Sequence, residues 1–396
     1  MSKVLIITNR FNLGGITSIV AYLTKYLSPD FETMLVGGPC EEKEGNSLFI
    51  LQNLGIEPVI IPEMHRKISF YNDFMTYIKI KKIIKDFKPD IVHTHASKAG
   101  FIGRYAAHRL KVPIIVHTFH GHIFQSYFNK YKTTFFKKLE RKVAKYSDAI
   151  IAISEIQKKE LCDIHKIAPA QKFRVIPIGF DLDKFQENYD IKRQYFRNKY
   201  NISDDKIAIS IVGRLVPVKN HDLFIRAIAN VKERTNKKIC AIIVGDGELR
   251  NNLIKLINEL HLTYSSPEKT LDEADIIFTS WIKEADFVFA GSDITALTSF
   301  NEGTPVSLIE AQAANTPIVS TNVGGIEDIV INGKTALLAE NNNLEDFSEK
   351  LFQLIENNHL RNEMSNMGWN FVKDKFHYKR LMKDMKELYE NLMDEK

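Results

Sequence analysis

Short runs of apolar, mostly β-branched residues alternate with longer amphipathic stretches along the whole chain. Because most of these runs are apolar almost throughout, they predict parallel strands buried on both faces and separated by helices. In the first half the predicted strands are Val4–Thr8, Thr33–Val36, Pro58–Ile61, Ile91–Thr94, Pro113–Thr118, Ala149–Ile153 and Phe173–Ile176. In the second half they are Lys206–Val212, Cys240–Val244, Asp275–Phe278, Ile294–Leu297, Pro317–Ser320 and Thr335–Leu338.

This strand–helix series runs twice, with a polar break around Gly179–Asp205. The pattern predicts an α/β protein of two doubly wound, Rossmann-like parallel-sheet domains. We expect domains at residues 1–180 and 206–375, a linker at 181–205, and a last helix at 376–396 that packs back on the first domain. Ligands of such sheets bind at the carboxyl ends of the strands, so a cleft between the two domains is the expected site.

Composition fits an ordinary globular protein of 396 residues. The longest apolar runs, such as Val4 to Ile7, are too short to span a membrane. The N-terminus lacks the pattern of a signal peptide. Three widely separated cysteines, Cys40, Cys162 and Cys240, argue against a disulfide framework, and we expect a cytoplasmic protein.

Charge is distributed unevenly. Residues 1–185 carry 28 Lys and Arg against 17 Asp and Glu, a formal charge of +11, while the remainder carries 26 against 32, a charge of −6. The basic half is a candidate for contact with phosphates or with the anionic inner face of a membrane. Compositional drift in a lysine-rich chain is the equally simple alternative.

Two glutamates, Glu302 and Glu310, flank the predicted start of a helix. Thr304 is the expected N-cap and Pro305 the expected first helical residue, while Asn315 should end the helix. Glu310 then lies about 7.5 Å along the helix axis from Pro305. Since a helix N-terminus attracts anions, this segment predicts a site for a nucleotide-sugar diphosphate, with carboxylates for sugar or ribose hydroxyls.

Two further loops follow predicted strands and could meet phosphate. Arg214 and Lys219 follow Gly213 at the end of one strand, where two cations suit a diphosphate, although both could be solvated surface charges. The segment 12–17 contains Gly14 and Gly15, which would allow close approach of the backbone to a ligand or make an ordinary turn.

Three other motifs resemble known binding motifs but have simpler interpretations. Gly245-Asp246-Gly247 resembles part of a dinucleotide fingerprint, but Arg250 occupies the third glycine position, which disfavours a dehydrogenase. Asp181-Leu182-Asp183 is more readily a turn than a metal-binding motif. The histidines at two strand ends could indicate a metal site, but no cysteine or carboxylate accompanies them, which disfavours one. Of these histidines, His120 is the one that we expect to face the cleft.

Residues 124–145 interleave aromatic residues and lysines at helical spacing. They predict a helix that either packs one face on the sheet or lies on an anionic membrane surface. Nucleic acid is disfavoured because no binding module accompanies the charge.

Together these motifs resemble the family 4 retaining glycosyltransferases of the GT-B fold. The resemblance covers nearly the whole chain and is carried by NLGGI, HTHASKAG and HTFHGH in the first half, and by IVGRLVPVKN, IVGDGEL, FTSW and the long stretch from LTSFNEGTPVSLIEAQ to GGIEDIV in the second. It is closest to bacterial members that build exopolysaccharide, capsule or O-antigen on a lipid carrier.

The resemblance implies a role for each site residue. Arg214 and Lys219 would hold the donor diphosphate, helped by Gly15 and by the backbone of Gly303, Thr304, Pro305, Val306 and Ser307. Gly14, Gly213 and Gly245 would also belong to the nucleotide-sugar site. Glu302 would contact the transferred sugar and Glu310 the ribose. Trp281 would lie at the nucleobase, and His120 beside the sugar. His95 and Lys98 would face the acceptor.

The resemblance also implies the chemistry. The expected reaction transfers a sugar, from UDP-sugar by family habit, with retention of configuration by front-face displacement; Glu302 as a covalent nucleophile is the less favoured route. No cofactor or metal is implied. The acceptor would be a glycan or a polyprenyl-diphosphate-linked glycan. The segment Leu262–Glu273 is longer and more polar than in relatives, and Ser280 replaces an expected glycine.

Two alternatives stay open at this point. The chain could be another GT-B enzyme, such as a sugar-nucleotide epimerase, or a non-catalytic GT-B binding protein. The complete set of diphosphate-binding residues speaks against the second.

Overall fold

The computed structural model describes residues 1–12, 15–40, 46–121 and 130–396. The chain forms two compact units. The first unit comprises Met1–Phe180 together with Phe376–Lys396, and the second comprises Asp181–Lys375.

Strands and helices alternate through the first 180 residues. The strands are β1 (Ser2–Arg10), β2 (Phe31–Gly38), β3 (Val59–Ile60), β4 (Ile91–His95), β5 (Ile114–Phe119), β6 (Ala149–Ala152) and β7 (Phe173–Val175). The helices are α1 (Gly15–Tyr26), α2 (Leu48–Asn53), α3 (Phe70–Phe87), α4 (Ser97–Arg109), α5 (Lys130–Ala144) and α6 (Glu155–Lys159).

The same alternation continues to the C-terminus. The strands are β8 (Ile207–Val212), β9 (Ile239–Val244), β10 (Tyr264–Ser265), β11 (Ile276–Ser280), β12 (Ile294–Leu297), β13 (Ile318–Thr321) and β14 (Ala336–Ala339). The helices are α7 (Tyr189–Lys199), α8 (His221–Arg234), α9 (Arg250–Glu259), α10 (Ala285–Gly291), α11 (Val306–Ala313), α12 (Leu344–Glu356), α13 (Asn358–Phe376) and α14 (Tyr378–Asp394).

The first unit is built on a seven-stranded sheet in the order β3-β2-β1-β4-β5-β6-β7, with parallel pairing throughout. Strands β4 and β5 are buried along their whole length, and β1 is buried from Val4 to Thr8, as expected for central strands covered on both faces. The last helix of the chain, α14, also belongs to this unit. Its buried Tyr389 lies 2.6 Å from Nδ1 of His93 on β4 and packs edge-on against Phe31.

The second unit repeats the architecture with the strand order β10-β11-β9-β8-β12-β13-β14, again parallel. Its core joins the strands to α8, α9 and α12 through residues such as Ile211, Phe224 and Leu351. The reversal of strand order lies between β8 and β12, so loops from these two strands diverge at the edge where ligands of such sheets bind.

Residues 181–205, expected to be a linker, have ordered structure within the second unit. A short turn at Asp183–Phe185 precedes α7, which packs against α10. The buried guanidinium of Arg197 bonds to the carbonyls of Gly291, Ser203 and Lys206 and to the carboxylate of Asp293. Asp181-Leu182-Asp183 therefore leads into this turn, as the simpler interpretation predicted.

Candidate active site

The loop after β8 places both predicted cations at the carboxyl edge of the second sheet. A short turn, Pro217–Lys219, leads to Asn220, whose left-handed backbone (φ 48°) precedes α8. The side chain of Arg214 is exposed, and no hydrogen bond joins its guanidinium to any described residue. Lys219 is mostly buried and forms an ion pair with Glu302, 2.5 Å from Nζ to Oε1.

Glu302 belongs to the loop after β12, which is bonded directly to the loop after β8. Oε1 of Glu302 also accepts a hydrogen bond from the hydroxyl of Ser299, at 2.5 Å. The hydroxyl of Thr298 donates to the carbonyls of Lys219 and Asn220, at 3.1 and 2.9 Å. The two loops therefore hold Lys219 and Glu302 in one rigid arrangement.

Helix α11 begins one residue later than expected. Pro305, with φ −70° and ψ 106°, is its N-cap, and Val306 is the first helical residue. No side chain caps this end, so the prediction that Thr304 caps the helix is wrong. The N-cap residue, Pro305, has no side-chain oxygen that could accept a hydrogen bond from the first turn, and Thr304 lies one residue before the N-cap. The helix ends at Ala313, followed by left-handed Asn315 (φ 56°), as predicted.

An uncapped helix start directs backbone N–H groups and positive partial charge towards whatever lies before it. Here Gly303 and Thr304 come immediately before that end, next to the Lys219–Glu302 pair. Such a combination of amides and cations suits a diphosphate.

Sequence reasoning did not identify the two glycines that support this loop. A Cβ on Gly324 would lie 1.9 Å from the carbonyl oxygen of Glu302, and one on Gly325 would lie 2.0 Å from that of Gly303. The amide of Gly325 donates to the carbonyl of Glu302 at 3.1 Å. The adjacent glycines after β13 were the available signal, because two glycines together mark a close backbone approach.

At the strand ends of the second unit, close backbone packing requires glycine at Gly245 but not at Gly213. Gly245 has φ +137°, and a Cβ there would lie 2.0 Å from the carbonyl oxygen of Gly213. By contrast, a Cβ on Gly213 would meet nothing closer than 3.6 Å. Ser280 has a left-handed backbone (φ 58°), which explains why glycine is expected there. Trp281 follows it and is about half exposed (47%).

Glu310 lies on α11, half-buried. Burial raises the pKa of its carboxyl to about 7; the positive charge of Lys184 opposes this, and the negative charge of Asp286 reinforces it. The carboxyl therefore changes charge near neutral pH.

In the first unit, His95 and His120 come together at the carboxyl ends of β4 and β5. Nδ1 of His95 lies 2.9 Å from Nε2 of His120, and the rings stack. Burial lowers the pKa of His120 to about 4, and burial with neighbouring histidines lowers that of His95 well below its usual value. Both rings are thus neutral at physiological pH and can exchange hydrogen bonds but supply no charge.

The other predicted site residues of the first unit, Gly14, Gly15 and Lys98, do not belong to this histidine pair. Gly15 is the first residue of α1, while Gly14 lies outside the described residues. Lys98 donates to the carbonyls of His65 and Lys67 at 2.8 and 2.7 Å and pairs with Asp73. Its ammonium is therefore engaged in holding the chain before α3, and it has little left to offer an acceptor.

Helix α5 falls within the predicted basic segment, of which residues 124–129 lie outside the described part of the chain. Tyr131 and Phe135 are exposed, whereas Val143 is buried, so only the C-terminal half of the apolar face packs on the sheet. Across the described ranges, no helix is long and apolar enough to cross a membrane. Nor do those ranges contain a cluster of three side chains placed to hold a metal ion.

Two family models divide the chain between them. Glycosyltransferase Family 4 matches residues 13–184, and Glycosyl transferases group 1 matches residues 192–370.

Relatives and a solved structure match most of the chain. The Escherichia coli UDP-Gal:alpha-D-GlcNAc-diphosphoundecaprenol alpha-1,3-galactosyltransferase is 31% identical, over 88% of this chain and 87% of its own. The Staphylococcus aureus capsular polysaccharide biosynthesis glycosyltransferase CapM is 27% identical, over 85% of each chain. The crystal structure of Anabaena HepE in complex with UDP has a TM-score of 0.81 at 17% identity, over 98% of this chain and 100% of that one. The chain therefore belongs to the family 4 glycosyltransferases and has their GT-B fold.

Proposed function

We propose that this glycosyltransferase moves a sugar from a UDP-sugar to a lipid-linked glycan in the assembly of a bacterial surface polysaccharide. The observation that carries the proposal is the ion pair between Lys219 and Glu302, which lies just before the uncapped start of α11 in the second unit. The exposed Arg214 belongs to the same loop as Lys219. The galactosyltransferase of Escherichia coli, whose name specifies a UDP-linked donor and a polyprenyl-diphosphate acceptor, supports this choice of substrates.

Each group has a proposed task. Arg214, Lys219 and the backbone N–H groups of Gly303, Thr304, Val306 and Ser307 hold the diphosphate. Glu302 contacts hydroxyls of the transferred sugar. Glu310 accepts hydrogen bonds from the ribose diol, and Trp281 stacks on the base. His95, His120 and Gly15 contribute from the first unit, with His120 as a neutral hydrogen-bond partner of the sugar. Gly213 and Gly245 shape the strand ends behind the phosphates.

In the proposed reaction an acceptor hydroxyl oxygen forms a bond to the anomeric carbon on the face that the diphosphate leaves. The bond from that carbon to the diphosphate oxygen breaks, and the hydroxyl proton passes to the departing diphosphate. Negative charge grows on the diphosphate, so preorganised cations and amides lower the barrier. The proposal needs no metal ion, because Arg214, Lys219 and α11 supply this positive charge.

Retention follows in this scheme because bond formation and bond breaking share one face. Glu302 is the less favoured nucleophile for the alternative double displacement, since the bonds from Lys219 and Ser299 to its Oε1 lower the basicity of the carboxylate. We place the enzyme in the cytoplasm, in contact with the inner face of the membrane that carries its acceptor.

Product analysis tests the proposal. Purified protein is incubated with UDP-galactose, UDP-glucose or UDP-N-acetylglucosamine and an N-acetylglucosamine-diphospho-lipid acceptor. The expected product is a disaccharide lipid whose new linkage has the α configuration by NMR, with release of UDP. A β linkage would refute retention. Conversion of the donor into an epimer without acceptor would favour an epimerase instead.

A further inference from the structure

Helix α3 exposes aromatic side chains along one face. The exposed fraction is 93% for Phe70, 70% for Tyr71 and 55% for Phe74, and Ile78 is exposed on the same face. Ile68, just before the helix, is also exposed. These five residues are called the α3 face below.

The α3 face is separate from the side of the helix that packs on the first unit. At about 100° per residue, Phe70, Tyr71, Phe74 and Ile78 fall within about a third of the helix circumference. The buried positions lie across the helix from them, and they are Thr76, Ile80, Ile84 and Phe87. Core packing therefore does not account for the exposed aromatic residues, and a contiguous patch of this kind marks an interaction surface.

Positive charge borders the α3 face at both ends. Arg66 and Lys67 precede it, and the exposed Lys82 and Lys85 continue along the helix. Two nearby acids are neutralised by partners within the unit, because Glu63 pairs with Lys79 and Asp73 with Lys98, whereas the exposed Asp86 follows Lys85 on the helix. An apolar aromatic strip bordered by cations is complementary to an anionic lipid surface.

Lys98 fixes the position of this face. From the first turn of α4 it bonds to the carbonyls of His65 and Lys67 and pairs with Asp73 in the first turn of α3. Lys98 follows His95 by three residues, at the carboxyl end of β4. The α3 face is thus tied to the sheet edge that holds the His95–His120 pair.

We propose that the α3 face is a docking surface for an anionic lipid bilayer. Its aromatic residues enter the interface while Arg66, Lys67, Lys82 and Lys85 meet the headgroups. Docking there would present the acceptor edge of the first unit to a lipid-linked substrate, and in this respect it rests on the proposed function. Lys98 acts in it as a positioning residue for the docking segment.

The test compares two double variants of the full-length protein. Phe70→Glu with Phe74→Glu places two charges in the α3 face. Ile164→Glu with Ile191→Glu is the matched control, because both residues are exposed (63% and 67%) and the change in charge is the same. Binding is measured by sedimentation with vesicles of phosphatidylcholine and phosphatidylglycerol at low salt, and with phosphatidylcholine alone. A thermal shift with UDP reports whether each protein keeps its donor site.

We expect the wild-type protein and the control to bind the anionic vesicles alike, and the α3 variant to bind at least about tenfold more weakly, since two exposed aromatic contacts are lost. Equal binding of the α3 variant and the control would overturn the proposal. The proposal would also be overturned if the wild-type protein did not bind vesicles but self-associated through this face. Because UDP stabilisation is read separately, loss of docking and failure of the proposed donor site give different results.

Discussion

At the scale of the residue, charge in the proposed site is set by neighbours. Lys219 and Glu302 were recognisable as residue types in two separate motifs, but their 2.5 Å ion pair depends on Thr298 bonding the two loops together. The neutral state of His120 has the same origin, since its low pKa comes from burial. Sequence indicates which groups can carry charge, whereas packing decides whether they do.

Lys98 illustrates the limit of the same reasoning. Because it follows a strand-end histidine, Lys98 was predicted to face the acceptor. In the structure it instead bonds to two backbone carbonyls and pairs with Asp73. These partners lie on a segment between 25 and 33 positions earlier in the chain, which no local pattern connects to it.

Glu310 gives a pH prediction at this scale. Its folded-state pKa is about 7, above the ordinary value of 4.5, so the folded protein holds a proton that the unfolded chain releases between these values. Stability from this group is therefore present at low pH and is lost as pH rises towards 7. Relative to Glu310→Gln, the free energy of unfolding of the wild-type protein should fall by about 3 kcal/mol across this window.

Urea unfolding of both proteins at several pH values measures this difference. Glu345→Gln, at an exposed glutamate of the same unit, is the control and should track the wild type. A difference between Glu310→Gln and wild type that stays constant with pH would contradict the elevated pKa.

At the scale of the element, strand positions were predictable to within a few residues because buried parallel strands are continuous apolar runs. The edge strand β10 was not, since Tyr264–Ser265 is only two residues long and lies in a polar stretch. The start of α11 was misplaced by one residue, because a threonine followed by proline fits both an N-cap and the position before one. The paired loops after β12 and β13 depend on Gly324 and Gly325, and only the packed backbone reveals their role.

The strand ends of the second unit give a prediction at the scale of the element. Gly245→Ala forces a Cβ to within 2.0 Å of the carbonyl oxygen of Gly213 at a φ of +137°. We expect it to lower the free energy of unfolding by about 3 kcal/mol, from backbone strain together with overpacking. Gly213→Ala, where the nearest atom would be 3.6 Å away, should cost less than about 1 kcal/mol.

Thermal unfolding of the two variants provides the comparison. Both glycines lie at neighbouring strand ends of the proposed site and differ in how close the nearest atom would be to an added Cβ. A difference in stability between the two variants therefore reports the steric clash and not the location. Equal destabilisation of the two variants would show that the close approach of these strands is not the governing feature.

At the scale of the whole molecule, one architecture occurs twice with different chemistry. Each unit is a seven-stranded parallel sheet with its loops at the carboxyl edge, as the repeated sequence pattern predicted. In the second unit that edge carries cations, carboxylates and an uncapped helix, whereas in the first it carries neutral histidines and the α3 face. This division suits a protein in which one unit holds an anionic donor and the other serves a lipid-linked acceptor.

The central claim is that the second unit binds the diphosphate of a UDP-sugar, and calorimetric titration with UDP tests it most directly. The wild-type protein should bind UDP, and Arg214→Ala should weaken binding at least about tenfold, because a charge-assisted contact to phosphate is lost. Arg226→Ala, at an exposed arginine that pairs with Asp222 on α8, should leave the affinity unchanged. Equal affinities for UDP in wild type and Arg214→Ala, or no binding of UDP by the wild-type protein, would contradict the account.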